Sequence, residues 1–180
     1  MNKKEEIIEV SLKYFANKGY ESTSLEDIAK ELEITKPAIY YHFKNKNTLY
    51  NQIFIRYFKN LSLEDDLKSY IYTMGNFFIQ NPYIAKLFSK ELSCEMQHLE
   101  IDTIKIVSNT LKTLVKILEN TNINPFFIQT LIISSFTTYA NTLKVREKVS
   151  GIVNNPKLLV DFHIIDEIYK TITLYIKANK

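Results

Sequence analysis

Residues Thr23 to Lys46 read TSLEDIAKELEITKPAIYYHFKNK, and two short helices can be cut from that stretch by start and stop signals alone. Thr23 or Ser24 caps the first, since each is followed three residues later by an acid, Glu26 or Asp27, in a capping-box arrangement. Leu25, Ile28, Ala29 and Leu32 then form one apolar face at helical spacing. Glu33 and Ile34 break the rhythm. Thr35 caps a second helix, and Pro37 falls in its first turn, where a missing N–H does no harm. Ile39 and Phe43, four apart, anchor that helix from below. Two helices joined by so tight a turn have the layout of a helix-turn-helix, here at about residues 24–43, whose second helix enters a DNA major groove.

The run from Ile34 to Leu49, ITKPAIYYHFKNKNTL, resembles the signature of the TetR family of transcriptional regulators. Its order is a small aliphatic, Thr35, a variable residue, Pro37, a small residue, Ile39, Tyr40, an aromatic, His42, Phe43 and a Lys-x-Lys stretch. The approach from Phe15 to Ser24 is similar to the family's as well, so the likeness covers roughly the first 50 residues. One departure is Glu33, where the family often has Gly; a left-handed turn there costs a non-Gly residue on the order of 1 kcal/mol. The resemblance implies an all-α protein, with an N-terminal three-helix bundle linked to a larger helical ligand-binding and dimerisation domain.

It also implies roles at the DNA, position by position. Thr35 and Lys36 point toward phosphate or a base edge, and Lys36 can donate to a guanine. Pro37 holds the first turn. Ala38 lets the helix approach and can meet a thymine methyl, while Tyr40 and His42 match phosphate-contacting positions that fix register. Tyr40 equally suits aromatic packing. Tyr41 reaches a base or the backbone, and Lys46 meets a phosphate beside its own helix N-terminus. No acid occurs between Glu33 and Glu64, whereas Lys36, Lys44, Lys46, Arg56 and Lys59 all do. That basic segment is the footprint phosphate contacts require, and it also fits a solvated lysine face.

The chain of 180 residues is long enough for a small domain plus a larger one, and its 46% apolar and 24% charged residues are ordinary for a globular protein. Only 3 Gly and 4 Pro favour long helices over turn-rich sheets. The single cysteine, Cys94, excludes an internal disulfide. No apolar run approaches the ~18–20 residues of a membrane span, and the start MNKKEEIIEV lacks the apolar core of a signal peptide. A cytoplasmic location is expected.

In order, a first helix is expected from about Lys3 to Asn17, ended by Gly19 as a C-cap. Lys3 or Lys4 reaches a phosphate or lies in a solvated terminus. Asn45 or Asn47 caps a helix running to Leu61, with the domain boundary just before it: residues 1–60 bind DNA and residues 61–180 bind an effector and dimerise. Ser62 is expected to cap a helix whose first turn holds Glu64, Asp65 and Asp66, and which continues to Asn81 through Gly75. Helices from Tyr83 to about Glu95, from Ile101 to Leu118 and from Asn124-Pro125 to Leu143 follow. A last helix carries Leu158, Phe162, Ile165, Ile172 and Ile176, with His163 in it as a packed or interface histidine. The last two helices are more apolar than a monomer's surface needs, so a homodimer through them is expected.

No Gly-rich phosphate loop, HExxH or nucleophile elbow occurs, and an enzyme is not expected. Glu95, His98 and Asp102 fall at helical spacing for a metal, but an exposed polar turn is the better reading; neither metal nor cofactor is expected. Tyr70, Met74, Phe77, Phe78, Phe88, Met96 and Phe136 offer aromatic and thioether bulk that can line a cavity for a small apolar ligand, or can be core. The expected function is a regulator, normally a repressor, released by that ligand from a double-stranded, pseudo-palindromic operator. The competing reading is a helical carrier or interaction protein that does not bind DNA.

Overall fold

The computed structural model describes residues 2–159 and 163–179, and every regular element among them is helical. In chain order these are α1 (Lys3–Lys18), α2 (Leu25–Glu31), α3 (Lys36–His42), α4 (Lys46–Lys59), α5 (Leu67–Gln80), α6 (Pro82–Ser93), α7 (Ile101–Val107), α8 (Asn109–Ile117), α9 (Pro125–Asn141), α10 (Leu143–Val153), a short 3-10 turn (Pro156–Leu159) and α11 (Ile164–Ala178). The chain divides into two compact units. One contains residues 1–61 and 86–109, the other residues 62–85 and 110–180. The return of residues 86–109 to the first unit has no counterpart in the sequence reading.

In the first unit, α1 starts with a full capping box: the Asn2 side chain accepts from the Glu5 N–H and the Glu5 carboxylate accepts from the Asn2 N–H. It ends at Gly19, whose φ of +89° is open to glycine at little cost. Between these ends α1 buries Ile7, Ile8, Leu12, Phe15 and Ala16, largely against α4, which buries Leu49, Tyr50, Ile53, Phe54 and Phe58. Asn45, not Asn47, caps α4, accepting from the Thr48 N–H at 2.8 Å. The other face of α4 packs on α7.

In the second unit, α5 lies along α9, and α11 packs against both. Tyr70, Ile71, Met74 and Phe78 of α5 meet Ile128, Ile132 and Phe136 of α9 and Ile172 of α11 in the core. Gly75 permits this approach. A Cβ built there would lie 2.7 Å from Ile165 Cγ1 and 3.0 Å from Phe136 Cζ.

Several expected boundaries move. Ser62 does not cap α5; Asp66 does, accepting from the Ser69 N–H at 3.0 Å, and so Glu64 and Asp65 precede the helix. Asp65 is paired instead with Lys116. The expected helix from Ile101 to Leu118 is broken at Ser108, whose N–H turns back to the Ile104 and Ile106 carbonyls. Leu143 leaves α9 to begin α10, which the sequence reading did not separate. Asn154, left-handed at φ +51°, ends α10. The last helix begins at Ile164, so Leu158 lies in the 3-10 turn, while Phe162 is outside the described residues. His163 is exposed and left-handed at φ +41°, just ahead of α11.

The glycines give a paired test. Gly75→Val should lower stability by about 1–3 kcal/mol through overpacking. Gly151, in α10 with nothing within 4 Å of its built Cβ, should gain up to about 1 kcal/mol as Gly151→Ala. Urea denaturation midpoints, read at unchanged slope, check both.

Candidate nucleic-acid interface

The two-helix element is held by backbone geometry at three places. Ser24, not Thr23, caps α2: its hydroxyl accepts from the Asp27 N–H at 3.0 Å. Thr23 is buried, and its hydroxyl donates to the Gly19 carbonyl at 2.8 Å, tying α2 to the end of α1. Between α2 and α3 the chain makes a Schellman turn. The Ile34 N–H donates to the Ala29 carbonyl at 3.0 Å and the Glu33 N–H to the Lys30 carbonyl at 3.2 Å. Glu33 adopts φ +52°, so the left-handed position usual for Gly carries a side chain.

α3 follows with Thr35 at its N-cap position, yet the Thr35 side chain makes no cap hydrogen bond. Its exposed hydroxyl points outward unused by the helix. Ile39 and Phe43 are buried and anchor α3, with the Lys4 ammonium 5.7 Å from the Phe43 ring. The remaining face is presented to solvent. Thr35, Lys36 and Pro37 are exposed, Ala38 and His42 half-buried, and Tyr40 and Tyr41 are 47% and 86% exposed. Tyr41 meets His42 edge to face, ring centroids 5.0 Å apart. Two large aromatics left this open on an otherwise anchored helix are not packing elements of the first unit.

The lysines divide into two kinds. Lys36 Nζ reaches Glu26 at 3.1 Å on the open surface, and Lys44 is exposed with no acid partner among the described residues. Lys46 is half-buried and differently used. Its ammonium donates to the Tyr20 carbonyl at 2.9 Å and the Thr23 carbonyl at 3.2 Å, 4.2 Å from the centroid of the Tyr20 ring. The role expected for it, a free cation at a phosphate, is replaced by a bracket that holds the α1–α2 turn against the start of α4. Arg56, also in the acid-free segment, is paired with Glu9 at 3.3 Å.

Behind this bracket lies a polar cluster that the sequence reading missed. Glu91 of α6 is 1% exposed, and its Oε1 accepts from the Tyr50 hydroxyl at 2.5 Å and lies 2.8 Å from His98 Nδ1. His98 Nε2 is 3.6 Å from Glu21, and the His98 ring lies 4.3 Å from that of Tyr20. Asn47 and Asn51 both donate to the His98 carbonyl, and Asn51 accepts from the Glu100 N–H. Burial, then the Glu91 carboxylate, push the Tyr50 phenol far above its usual range, so it stays a donor. The signal for this cluster is faint: Asn47 and Asn51, four apart, interrupt the apolar stripe of α4. His98 is thus committed to carboxylates, and Glu95 and Met96 are left-handed at φ +58° and +56°, so the expected helical spacing of Glu95, His98 and Asp102 does not exist. Among the described residues no three His, Cys, Asp or Glu are grouped for a metal.

Residues 7–53 match the family model for bacterial regulatory proteins of the tetR family. Over that segment, about a quarter of the chain, the sequence is similar to the tetR family. Over 49 residues it is 45% identical to a biofilm operon icaADBC HTH-type negative transcriptional regulator, IcaR, of Staphylococcus aureus, and 41% identical to the protein of that name in Staphylococcus epidermidis. Each match spans 27% of this chain and only 26% of the relative. Beyond it the likeness is one of fold. A crystal structure of a HlyIIR mutant protein aligns over 92% of both chains with a TM-score of 0.66 at 21% identity. A putative tetR family transcription regulator from Shewanella sp. PV-4 aligns over 99% of this chain and 98% of its own, with a TM-score of 0.67 at 17% identity.

The seven residues expected to line a ligand cavity are placed otherwise. Phe88 is buried in the first unit against Phe58, and Met96 sits in the turn after α6. Tyr70, Met74, Phe78 and Phe136 are 0% accessible and Phe77 9%. A side chain without surface for a water-sized probe borders no void of that size, so these residues are core here. Tyr70 also donates to the Thr110 carbonyl at 3.1 Å.

Two substitutions test the architecture of this unit. Glu33→Gly should raise its stability by up to about 1 kcal/mol by relieving the left-handed turn. Tyr50→Phe should cost about 1.5–3 kcal/mol, the range for a hydrogen bond to a charged acceptor. Both are read from chemical denaturation, and a neutral Tyr50→Phe would show that Glu91 is held by other means.

Proposed function

We propose that this protein is a sequence-specific DNA-binding transcriptional repressor acting in the cytoplasm. The observation that carries the reading is the exposed face of α3: Thr35, Lys36, Tyr40 and Tyr41 stand outward on a helix whose opposite side is fixed by Ile39 and Phe43. Such a helix presents its N-terminal residues to base edges and its flanks to phosphates. Lys36, and Ala38 beside a thymine methyl, read bases; Thr35, Tyr40, His42 and Lys44 fix register on the backbone. Tyr41 takes either part. Lys46 serves the interface from behind. The negative regulation named for the staphylococcal relative, similar in this segment, supports repression as the sign of the effect.

The protein acts as a homodimer through α9 and α11, with two copies of α3 in successive major grooves roughly 34–36 Å apart. Phe126 and Phe127 of α9 and Leu174 and Tyr175 of α11 support this, being 65%, 44%, 67% and 38% exposed on helices whose other sides are core. Phe127 and Tyr175 already touch, at 5.0 Å between ring centroids. Apolar groups gathered in this way gain from a second copy. A ligand bound in the second unit releases the operator only in so far as it binds the DNA-competent and incompetent states unequally.

Mobility shifts on the DNA upstream of its own gene, at about 50 and 200 mM salt with scrambled DNA alongside, test this. A protein neutralising several phosphates loses affinity by orders of magnitude over that range. Tyr40→Ala should weaken all sequences alike, whereas Lys36→Ala should relax preference at one position by about 1–3 kcal/mol. Lys46→Ala should lower thermal stability as well as DNA affinity. A folded protein that shifts no DNA at low salt would overturn the proposal.

A further inference from the structure

The second unit carries an open cavity of about 290 Å³ that none of the expected ligand residues lines. Tyr72 and Asn76 of α5 form one wall, Tyr139 of α9 another, and His163 to Asp166 at the start of α11 the third. Its floor follows from Gly75. Because that residue has no side chain, Ile165 settles directly on α5, and the start of α11 comes close enough for the Tyr72 hydroxyl to donate to Asp166 Oδ1.

The rings and the carboxylate are held in place by protein neighbours alone. Lys68 lies 5.6 Å from the Tyr72 ring and Tyr169 meets it edge on at 6.2 Å. The Arg146 guanidinium is 4.1 Å from the Tyr139 ring and donates to the Tyr139 carbonyl at 2.8 Å. The hydrogen bond to Asp166 pushes the Tyr72 phenol up, which keeps it the donor and the carboxylate the acceptor. A carboxylate has about four lone-pair sites, and Tyr72 uses one. What remains is acceptor capacity at the edge of a recess with two aromatic walls and the aliphatic side chains of Ile79 and Ile164.

We propose that this recess binds a small planar aromatic molecule carrying a hydrogen-bond donor. The donor faces Asp166, and the ring lies against Tyr72 and Tyr139. The volume is at the lower end of ligand pockets, which suits one or two fused rings. Walls that are already positioned lose little freedom on binding. The inference rests on the reading of the second unit as an effector domain, and it moves the site from the buried aromatics to the start of α11.

Indole and 1-methylindole serve as probes, titrated into the whole protein without DNA and followed calorimetrically and by saturation-transfer NMR. Indole should bind saturably at one site per chain, and 1-methylindole, lacking the donor, at least about tenfold more weakly. Asp166→Asn should weaken indole by a similar factor and leave 1-methylindole unchanged; Tyr139→Ala should weaken both, with circular dichroism confirming the fold. No saturable indole binding, or an Asp166→Asn effect equal for the two probes, would overturn the proposal. Should indole bind as described while operator affinity stays constant, the recess stands and ligand-controlled release falls. Should indole fail while specific DNA is still shifted, the recess falls and the regulator stands.

Discussion

A carboxylate closed off from water must be satisfied by the groups around it, and in the first unit that carboxylate is Glu91. Left unpaired, a buried charge costs several kcal/mol, more than any single apolar contact returns. Tyr50 from α4 and His98 from the turn after α6 answer it at Oε1, while Oε2 is buried without a hydrogen-bond partner among the described residues, and His98 is itself fixed through its carbonyl by Asn47 and Asn51. Each of these partners belongs to a different stretch of chain, so the cluster determines how α4, α6 and the 94–100 turn meet. Purely apolar packing of Phe54, Phe58 and Phe88 would tolerate sliding; directional hydrogen bonds to one oxygen do not. The aromatic rings of Phe15, Tyr20 and Tyr50, centred 4.9–5.9 Å apart, then carry that registration to α1 and to the turn that leads into α2.

From that turn the constraint passes to α3 through backbone rather than side chains. The Lys46 bracket fixes Tyr20 and Thr23, Thr23 fixes the α1 terminus, and Ser24 starts α2. The Schellman turn at Glu33 then sets the direction in which α3 leaves. A helix of seven residues has little stability of its own, so its orientation is borrowed from these contacts and from Ile39 and Phe43 beneath it. Exposed Tyr40 and Tyr41 are the complement of this arrangement. Their outward position follows from spacing once the inward two are fixed.

Legibility in the sequence follows the range of the interaction. The caps at Ser24 and Asn45 and the anchors Ile39 and Phe43 depend on residues within a few positions of each other, and local spacing reveals the anchors and narrows each cap to two candidates, while the left-handed turn at Glu33 is legible only through the family resemblance. The replacement of Ser62 by Asp66 as a cap is the same kind of feature, misread because several acids in a row offer several starts. Glu91 with Tyr50, or Lys46 with the Tyr20 carbonyl, are pairings over 41 and 26 positions, and no periodicity records them. The aromatic residues of α5 and α9 misled for a different reason. A cavity wall and a core face carry the same pattern on a helix, and only the packing across Gly75 decides between them.

Three lysines from Lys36 to Lys46 show how magnitude separates a movable cation from a holding one. Lys36 and Glu26 form an exposed pair, with side chains 44% and 75% accessible, and such pairs are worth about 0–1 kcal/mol. Breaking one to meet a base edge or a phosphate costs little, and the acid meanwhile shields the lysine from indiscriminate contacts. Lys46 makes two hydrogen bonds from a cationic donor, each worth about 1.5–3 kcal/mol, and a cation–π contact adds about 0.5–2 kcal/mol. Moving that ammonium toward DNA would forfeit all three and release the α1–α2 turn. Lys44, exposed and without an acid partner among the described residues, has nothing to forfeit. Of three lysines within eleven residues, one is free, one is loosely parked and one is structural. The two that can move bracket α3 in sequence, Lys36 at its start and Lys44 just past its end.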